Sequence, residues 1–359
     1  MTDEVLCRVE GQAAVLSLNR PTALHALSLN MVRLLTAELL RLRNVDAVGC
    51  VLLEHAAGRG FCAGGDVRAL IDSVRNDGGV SGRRFFYEEY QLDHLISSYP
   101  KPIVAFMDGL TMGGGVGISL PASIRVVTEN TRFAMPETGI GLFPDVGGGY
   151  YLSRLPRRMG QYLALTGAQL DGAECLAFGV GTHYVTAATL PQLKAAFAQA
   201  AGLLTESLLC SAPVPEARIL QHAASIEQAF ASDEYEDVVR ALEAVRTPWA
   251  QGVLGKIQQK SPQACKVALR QLALGAKLPS LEEDLRMEYR IASRVLLRPD
   301  FTEGVRAVIL DKDNNPRWQP AHAEQVSDEL LDEIFAPLPA KEEWQPLSYV
   351  RCSEQPARH

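Results

Sequence analysis

Short apolar runs and helical stripes of apolar residues alternate along the first part of the chain. Val5–Val9 and Ala13–Leu18 are strand-like runs separated by Glu10-Gly11-Gln12, which predicts a hairpin. Asn19-Arg20-Pro21 then breaks the chain. From Ser28 onward Leu29, Val32, Leu35, Leu39 and Leu42 recur at three- and four-residue steps, the period of a helix. Val48–Leu53 is an apolar run suited to a buried strand, and it leads into the glycine-rich loop Gly58 through Asp66. Asp66 has the chemistry to cap the next helix. Asn76–Gly82 reads as a Gly-rich break before a helical segment over Arg83–Ser98. Pro102–Met107 is again strand-like, followed by Asp108-Gly109 and the triple glycine Gly113-Gly114-Gly115. Ile124–Val127 and Phe133-Ala134 predict two more short strands. Strand, glycine-rich loop and helix thus recur within the first 130 residues, the pattern of parallel α/β layering.

After Leu163 the pattern is mostly helical, with a plausible linker at Ser211-Ala212-Pro213-Val214-Pro215. This divides the chain into a core over residues 1–205 and a helix-rich region over 206–359. Ser261-Pro262 opens one late helix with a cap and a proline at its first turn, and Ser280-Leu281-Glu282-Glu283 opens another as a capping box. In the latter, Leu281, Leu285, Tyr289, Ala292 and Leu296 make one apolar face.

Composition narrows the class. The 359 residues allow one large domain or two, and 47% hydrophobic with 21% charged residues exclude wholesale disorder and coiled coil. A net charge of −7 argues against a nucleic-acid partner, which needs a basic footprint. No stretch approaches the roughly 20 apolar residues of a membrane span. The acidic start Met1-Thr2-Asp3-Glu4 resembles neither a secretory signal nor a transit peptide, so a cytoplasmic location is expected. Seven scattered cysteines without Cys-x-x-Cys spacing argue against a disulfide framework or a zinc site.

Several motifs fail on inspection. Neither glycine cluster continues into a P-loop, Gly113–Gly117 lacks dinucleotide spacing, and Asp311-x-Asp313-x-Asn315 lacks the glycine and glutamate of a calcium loop. Two glycine loops remain, each between a strand and a helix. Backbone without Cβ approaches a ligand closely, and two such loops can converge two N–H donors on one oxygen. Tight helix–strand packing is the alternative use of the same glycines. The segment Met135 through Asp145 then adds two carboxylates in apolar, glycine-rich surroundings. Such surroundings raise a carboxyl pKa toward the range useful in acid/base chemistry. Read singly, Glu137 is equally a first-turn residue after Pro136, and Asp145 equally the N-cap of a helix through Tyr150 and Leu155. Taken with both glycine loops, a catalytic role is the better reading.

Phe61-Cys62-Ala63-Gly64-Gly65-Asp66, Gly109 through Gly117, and Pro136-Glu137 together resemble the signatures of the crotonase (enoyl-CoA hydratase/isomerase) superfamily over roughly residues 5–190. The resemblance implies a crotonase-type α/β spiral of ββα repeats, an acyl-CoA substrate and an oxyanion hole for the thioester oxygen. Carried over by position, the donors are the backbone N–H groups of Gly65 and Gly114, with His25, Ala63, Asp66 and Gly113 as substrate-binding positions. It implies no metal and no cofactor beyond the coenzyme A of the substrate, and homo-oligomers are common among relatives.

Similar hydratases carry a second catalytic Glu where this chain has Gly117, which puts simple hydration in doubt. The runs Thr111–Gly117, Phe133–Glu137, Gly141–Tyr150, Met287–Arg290 and Asp300–Asp313 instead resemble the 3-hydroxyisobutyryl-CoA hydrolase family, whose activity belongs to valine catabolism. That resemblance implies thioester hydrolysis by Glu137, as nucleophile or general base. Asp145 then binds the substrate hydroxyl or serves as acid/base. His25 departs from the Asn that relatives carry in a loop expected to run along the CoA. Two other readings stay open: double-bond hydration or isomerisation with Glu137 alone, and a non-catalytic acyl-CoA-binding protein.

Overall fold

The computed structural model describes residues 3–199 and 212–348, so the expected boundary at 205/206 lies outside the described residues. Among them, nine strands follow the chain: β1 (Val5–Glu10), β2 (Ala13–Leu18), β3 (Cys50–His55), β4 (Gly60–Cys62), β5 (Ile103–Met107), β6 (Leu110–Met112), β7 (Ile124–Val127), β8 (Arg132–Ala134) and β9 (His183–Tyr184). β1 and β2 form the expected antiparallel hairpin. All other strand pairs are parallel, in a six-stranded sheet β1-β2-β3-β5-β7-β9 and a three-stranded sheet β4-β6-β8. From β3 onward, successive strands therefore alternate between the two sheets, with a helical turn after each pair. This is the ββα spiral.

The large sheet is covered on both faces, which is why its strands read as continuous apolar runs rather than alternations. Val51 and Leu53 of β3 face the main core, while Cys50 and Leu52 face a second cluster closed by Leu193 and Phe197. Helix α1 (Leu29–Leu42) is capped by Ser28, the Met31 N–H donating to Ser28 Oγ at 3.0 Å, and it buries the expected Val32, Leu35, Leu39 and Leu42.

The break expected over Asn76–Gly82 is much shorter. Helix α2 (Val67–Asp77) ends at Gly78-Gly79, and α3 (Val80–Ser97) begins at once. Gly82 lies inside α3, and a Cβ there would fall 2.7 Å from Leu296 Cδ2. It permits a close helix approach and does not interrupt the helix.

The C-terminal helices wrap the spiral. Helix Pro262–Gly275 has Ser261 as its cap. Helix Leu281–Val295 is capped by Ser280, which accepts from Glu283 N at 3.3 Å, but the exposed Glu283 side chain does not complete the box. The expected apolar face of that helix is buried, and so are Asp284 and Glu288, which the pattern did not single out. One continuous apolar core runs from Val5 in β1 to Trp344 near the end of the described chain. The run Asp311-x-Asp313-x-Asn315 is part of a surface ion cluster in which Arg306 holds Asp311 and Asp313 at 2.7 and 2.6 Å. No helix among the described residues is long and apolar enough to cross a membrane.

Candidate active site

The small sheet brings the expected residues together. Its strands run parallel, with Gly60 opposite Leu110 and Met112 opposite Ala134. The loops leaving their C-terminal ends must therefore emerge side by side, where open α/β sheets generally bind ligands. β4 delivers Ala63-Gly64-Gly65, β6 delivers Gly113-Gly114 at the start of helix α4 (Gly114–Gly117), and β8 delivers Pro136-Glu137. All seven line one cavity of about 380 Å³.

Close approach requires the glycines at Gly113 and Gly114. Gly113 has φ +45, and a Cβ on it would fall 3.1 Å from Glu137 Oε1. A Cβ on Gly114 would fall 3.3 Å from Gly65 N and 2.3 Å from Glu89 Oε1. The N–H groups of Gly65 and Gly114 have no hydrogen-bond partner among the described residues. These two free donors on adjacent loops face a common space.

Carboxyl groups crowd the other wall. Glu137 begins a short 3-10 turn, Glu137–Ile140, as the first-turn reading had it, yet its Oε2 is buried without a partner. Burial and the neighbouring Asp145 push its pKa well above the ordinary carboxyl range, against the opposing pull of Lys260. Asp145 is not the N-cap that its position suggested: helix α5 (Gly148–Leu152) has Gly147 there instead. The reason is a sharp bend through Val146 (φ +56) and Gly147 (φ +85) that turns the Asp145 side chain inward. There its Oδ2 accepts from the Tyr90 hydroxyl at 2.8 Å. Burial raises its pKa to about 6, while the Tyr90 bond pulls it down.

Helix α3 adds groups that the sequence pattern did not reveal. Glu89 lines the cavity with Oε1 buried and unpartnered, and Asp93, one turn on, has neither oxygen partnered. Burial raises both well above the ordinary range, Glu89 further through Asp93, Asp145 and Glu137, and Asp93 further through Asp145. Crowding and burial together favour the protonated forms of Glu89 and Asp93. Their i, i+4 spacing is visible in the sequence, but nothing local shows that the face carrying them is buried. Lys260 enters from the C-terminal region, half-buried on the cavity wall, with burial lowering its pKa.

Of the other expected substrate-binding positions, Ala63 and Gly113 line the cavity, whereas His25 and Asp66 do not. His25 is buried, with Nδ1 accepting from Arg20 N at 3.1 Å and Nε2–H donating to the Ala57 carbonyl at 2.6 Å. Burial lowers its pKa, so the ring is neutral and holds the loop. Asp66 caps α2 through Ala69 N and pairs with Arg20 at 3.0 Å.

Position 117 is closed. A Cβ on Gly117 would fall 2.6 Å from Val146 Cβ and 2.8 Å from Asp93 Oδ2, so this wall has no room for a side chain there. The space is taken by the residue that turns Asp145 inward.

Comparison with known proteins agrees with this geometry. The sequence model of the enoyl-CoA hydratase/isomerase family matches residues 13–335. The 3-hydroxyisobutyryl-CoA hydrolase, mitochondrial, of Gallus gallus is 41% identical, covering 93% of this chain and 89% of its own length. The rat protein of the same name is 40% identical, covering 95% and 91%. The crystal structure of a carnitinyl-CoA dehydratase from Mycobacterium thermoresistibile superposes with a TM-score of 0.90 at 39% identity, over 96% of this chain and 99% of that one. With paired glycine loops beneath a carboxylate wall on a ββα spiral, and with matches spanning nearly its whole length, the chain belongs to the enoyl-CoA hydratase/isomerase family.

Proposed function

We propose that the chain hydrolyses a short, branched β-hydroxyacyl-CoA thioester, 3-hydroxyisobutyryl-CoA in the first instance, to the free acid and CoA, a step of valine catabolism. The observation that carries this reading is the pair Glu137 and Asp145 facing one cavity, beside a position 117 packed against Val146 and Asp93 with no room for a second glutamate. The identity to the avian and rat hydrolases over nearly the full chain supports the same substrate. Coenzyme A enters as part of the substrate.

In this reading the thioester oxygen accepts from the N–H groups of Gly65 and Gly114. Such donors are worth ~2.7–4 kcal/mol each when removed from a working oxyanion hole. Glu137 acts in one of two ways. As a nucleophile, its carboxylate adds to the carbonyl carbon, the C–S bond breaks, and CoA leaves as thiolate; water then cleaves the acyl–Glu137 anhydride. As a general base, it takes the proton of a water that attacks the same carbon; the C–S bond breaks, CoA leaves as thiolate, and the proton on Glu137 passes to it. Either route needs Glu137 ionised, and the Lys260 ammonium favours that form against burial. Asp145 hydrogen-bonds the substrate hydroxyl or exchanges a proton with the water that completes the reaction. Glu89, whose protonated form burial favours, offers a donor on the cavity wall toward the same hydroxyl.

The test follows thiol release with a thiol-reactive chromophore, using 3-hydroxyisobutyryl-CoA beside crotonyl-CoA and acetyl-CoA. Rapid release from the hydroxyacyl ester alone is expected. Glu137→Gln should lower it by about 10²–10⁴-fold, the range of a lost acid/base group, with ester binding retained. Unchanged turnover in that variant removes Glu137 from the mechanism. Hydration or dehydration is the second reading, favoured by the similarity to the mycobacterial dehydratase, and crotonyl-CoA hydration without thiol release would establish it. The five described cysteines are free thiols, which supports a reducing compartment, cytoplasmic in our reading; the avian and rat relatives are named as mitochondrial.

A further inference from the structure

Asp145 sits in a loop with little regular structure of its own. Between Pro144 and α5 the backbone turns through Val146 at φ +56, a left-handed conformation that a β-branched residue rarely adopts. Such a bend persists only where the surroundings over-determine it. Here the constraint comes from two C-terminal helices, more than 120 residues away in sequence. Gln271 Nε2, on helix Pro262–Gly275, donates to the Pro144 carbonyl at 2.7 Å and to Glu288 Oε1 at 2.8 Å. Glu288, on helix Leu281–Val295, accepts from Gly147 N at 2.8 Å and from Gly149 N at 2.9 Å. Asp284, one turn earlier, accepts from Tyr150 N at 2.9 Å. Gln271, Asp284 and Glu288 are fully buried, and none of them lines the cavity.

We infer that Gln271 and Glu288 form a positioning device for Asp145. Their bonds bracket that residue, one on the carbonyl before it and two on the amides after it. The bracket fixes the left-handed turn at Val146, and the turn aims the carboxylate at Tyr90 and the cavity. The C-terminal helices thereby take part in the reaction through backbone geometry. This inference rests on the proposed role of Asp145 and extends it. A buried polar network of this kind is well satisfied only when each member is in place.

The geometry gives the two residues different weights in a test. Gln271→Met keeps the length of the side chain and removes the amide that ties Pro144 to Glu288. Glu288→Gln keeps one acceptor oxygen and turns an NH₂ group toward a backbone N–H, so its fold is the more exposed to failure. Gln271→Met is therefore the primary variant, made alone and with Asp145→Asn. Each protein is assayed for thiol release from 3-hydroxyisobutyryl-CoA, with slow variants followed under single-turnover conditions with enzyme in excess. Thermal melting is recorded beside each assay.

Gln271→Met is expected to lower kcat by about 10- to 100-fold, the scale of a reacting group displaced by roughly an ångström, with KM changed less than about threefold. In the Asp145→Asn background the same substitution should change the rate by less than about threefold, because its effect passes through the missing carboxylate. A lowered melting temperature with unchanged kcat overturns the inference. So does a full loss of rate that persists without Asp145. Asp145→Asn alone tests the reading beneath it: wild-type turnover there removes Asp145 from the reaction, and with it anything that positions Asp145.

Discussion

The Tyr90 hydroxyl lies 2.8 Å from Asp145 Oδ2 and is the side-chain donor that favours the ionised form of this carboxylate. Burial holds the Asp145 pKa at about 6, and the Tyr90 hydroxyl is itself raised well above its ordinary range, so it stays a donor at any working pH. The other acids on the cavity wall, Glu89 and Glu137, and Asp93 behind them are raised as well, which leaves Asp145 the readiest of the four to ionise. A hydrogen bond to a charged group is worth about 1.5–3 kcal/mol. Tyr90→Phe should therefore raise the Asp145 pKa by about one to two units. The acidic limb of the kcat–pH profile moves upward by that amount, with turnover near pH 6–7 falling more than turnover near pH 9. A profile that keeps its shape would show that the ionisation of Asp145 is not what limits the rate.

At the scale of elements, helix α4 and the Asp145 loop compete for one space. Gly117 and Val146 are in contact because neither a methyl nor a carboxyethyl group stands at position 117. Gly117→Ala forces a Cβ against Val146 and Asp93, an overpacking that costs about 1–3 kcal/mol. Urea denaturation should show that loss, and turnover should fall with it, because the displaced residue adjoins Asp145. Gly117→Glu restores the second acid of similar hydratases in sequence alone; it should give no crotonyl-CoA hydration and a larger loss of stability. A stable Gly117→Glu protein that hydrates crotonyl-CoA would show that the wall is not closed. Val146 itself is held in a left-handed conformation whose cost, about 1–3 kcal/mol, is sustained by the packing and bonds around it.

Across the whole molecule, acids whose pKa is raised by burial link stability to pH. Glu89, Asp93, Glu137, Asp145, Asp284 and Glu288 all have folded pKa values above their unfolded ones. At each of these groups the native state binds more of the proton than the unfolded chain once the pH exceeds about 4. Stability falls as the pH rises from the unfolded pKa toward the folded one, by at most about 1.4 kcal/mol per unit for each group. Asp93→Asn removes one such group, whose two oxygens have no partner and which does not line the cavity. The variant should melt at a higher temperature relative to wild type at pH 8 than at pH 5. A difference that stays constant or shrinks between the two pH values would show that Asp93 does not carry the linkage.

Much of this was legible in the order of residues, because much of it is local. A hairpin at Gly11, the helical stripe from Ser28, caps at Asp66 and Ser261, and apolar runs in β2, β3, β5 and β7 depend on neighbours within a few positions. The glycine loops and the two carboxylates of residues 135–145 were recognisable for the same reason: each lies within one short motif. Three dimensions decided the rest. Gly82 looked like a helix break and serves a helix contact, since the side chain that needs the room, Leu296, is more than 200 residues away. His25 and Asp66 looked like substrate contacts, and Arg20 and Ala57 engage them instead. Glu89 and Asp284 were not singled out in the sequence, and Glu288 stood there only as part of the run Met287–Arg290. Burial is a property of how helices pack on sheets, not of any window of sequence, and burial raises the pKa of all three acids and gives them their roles.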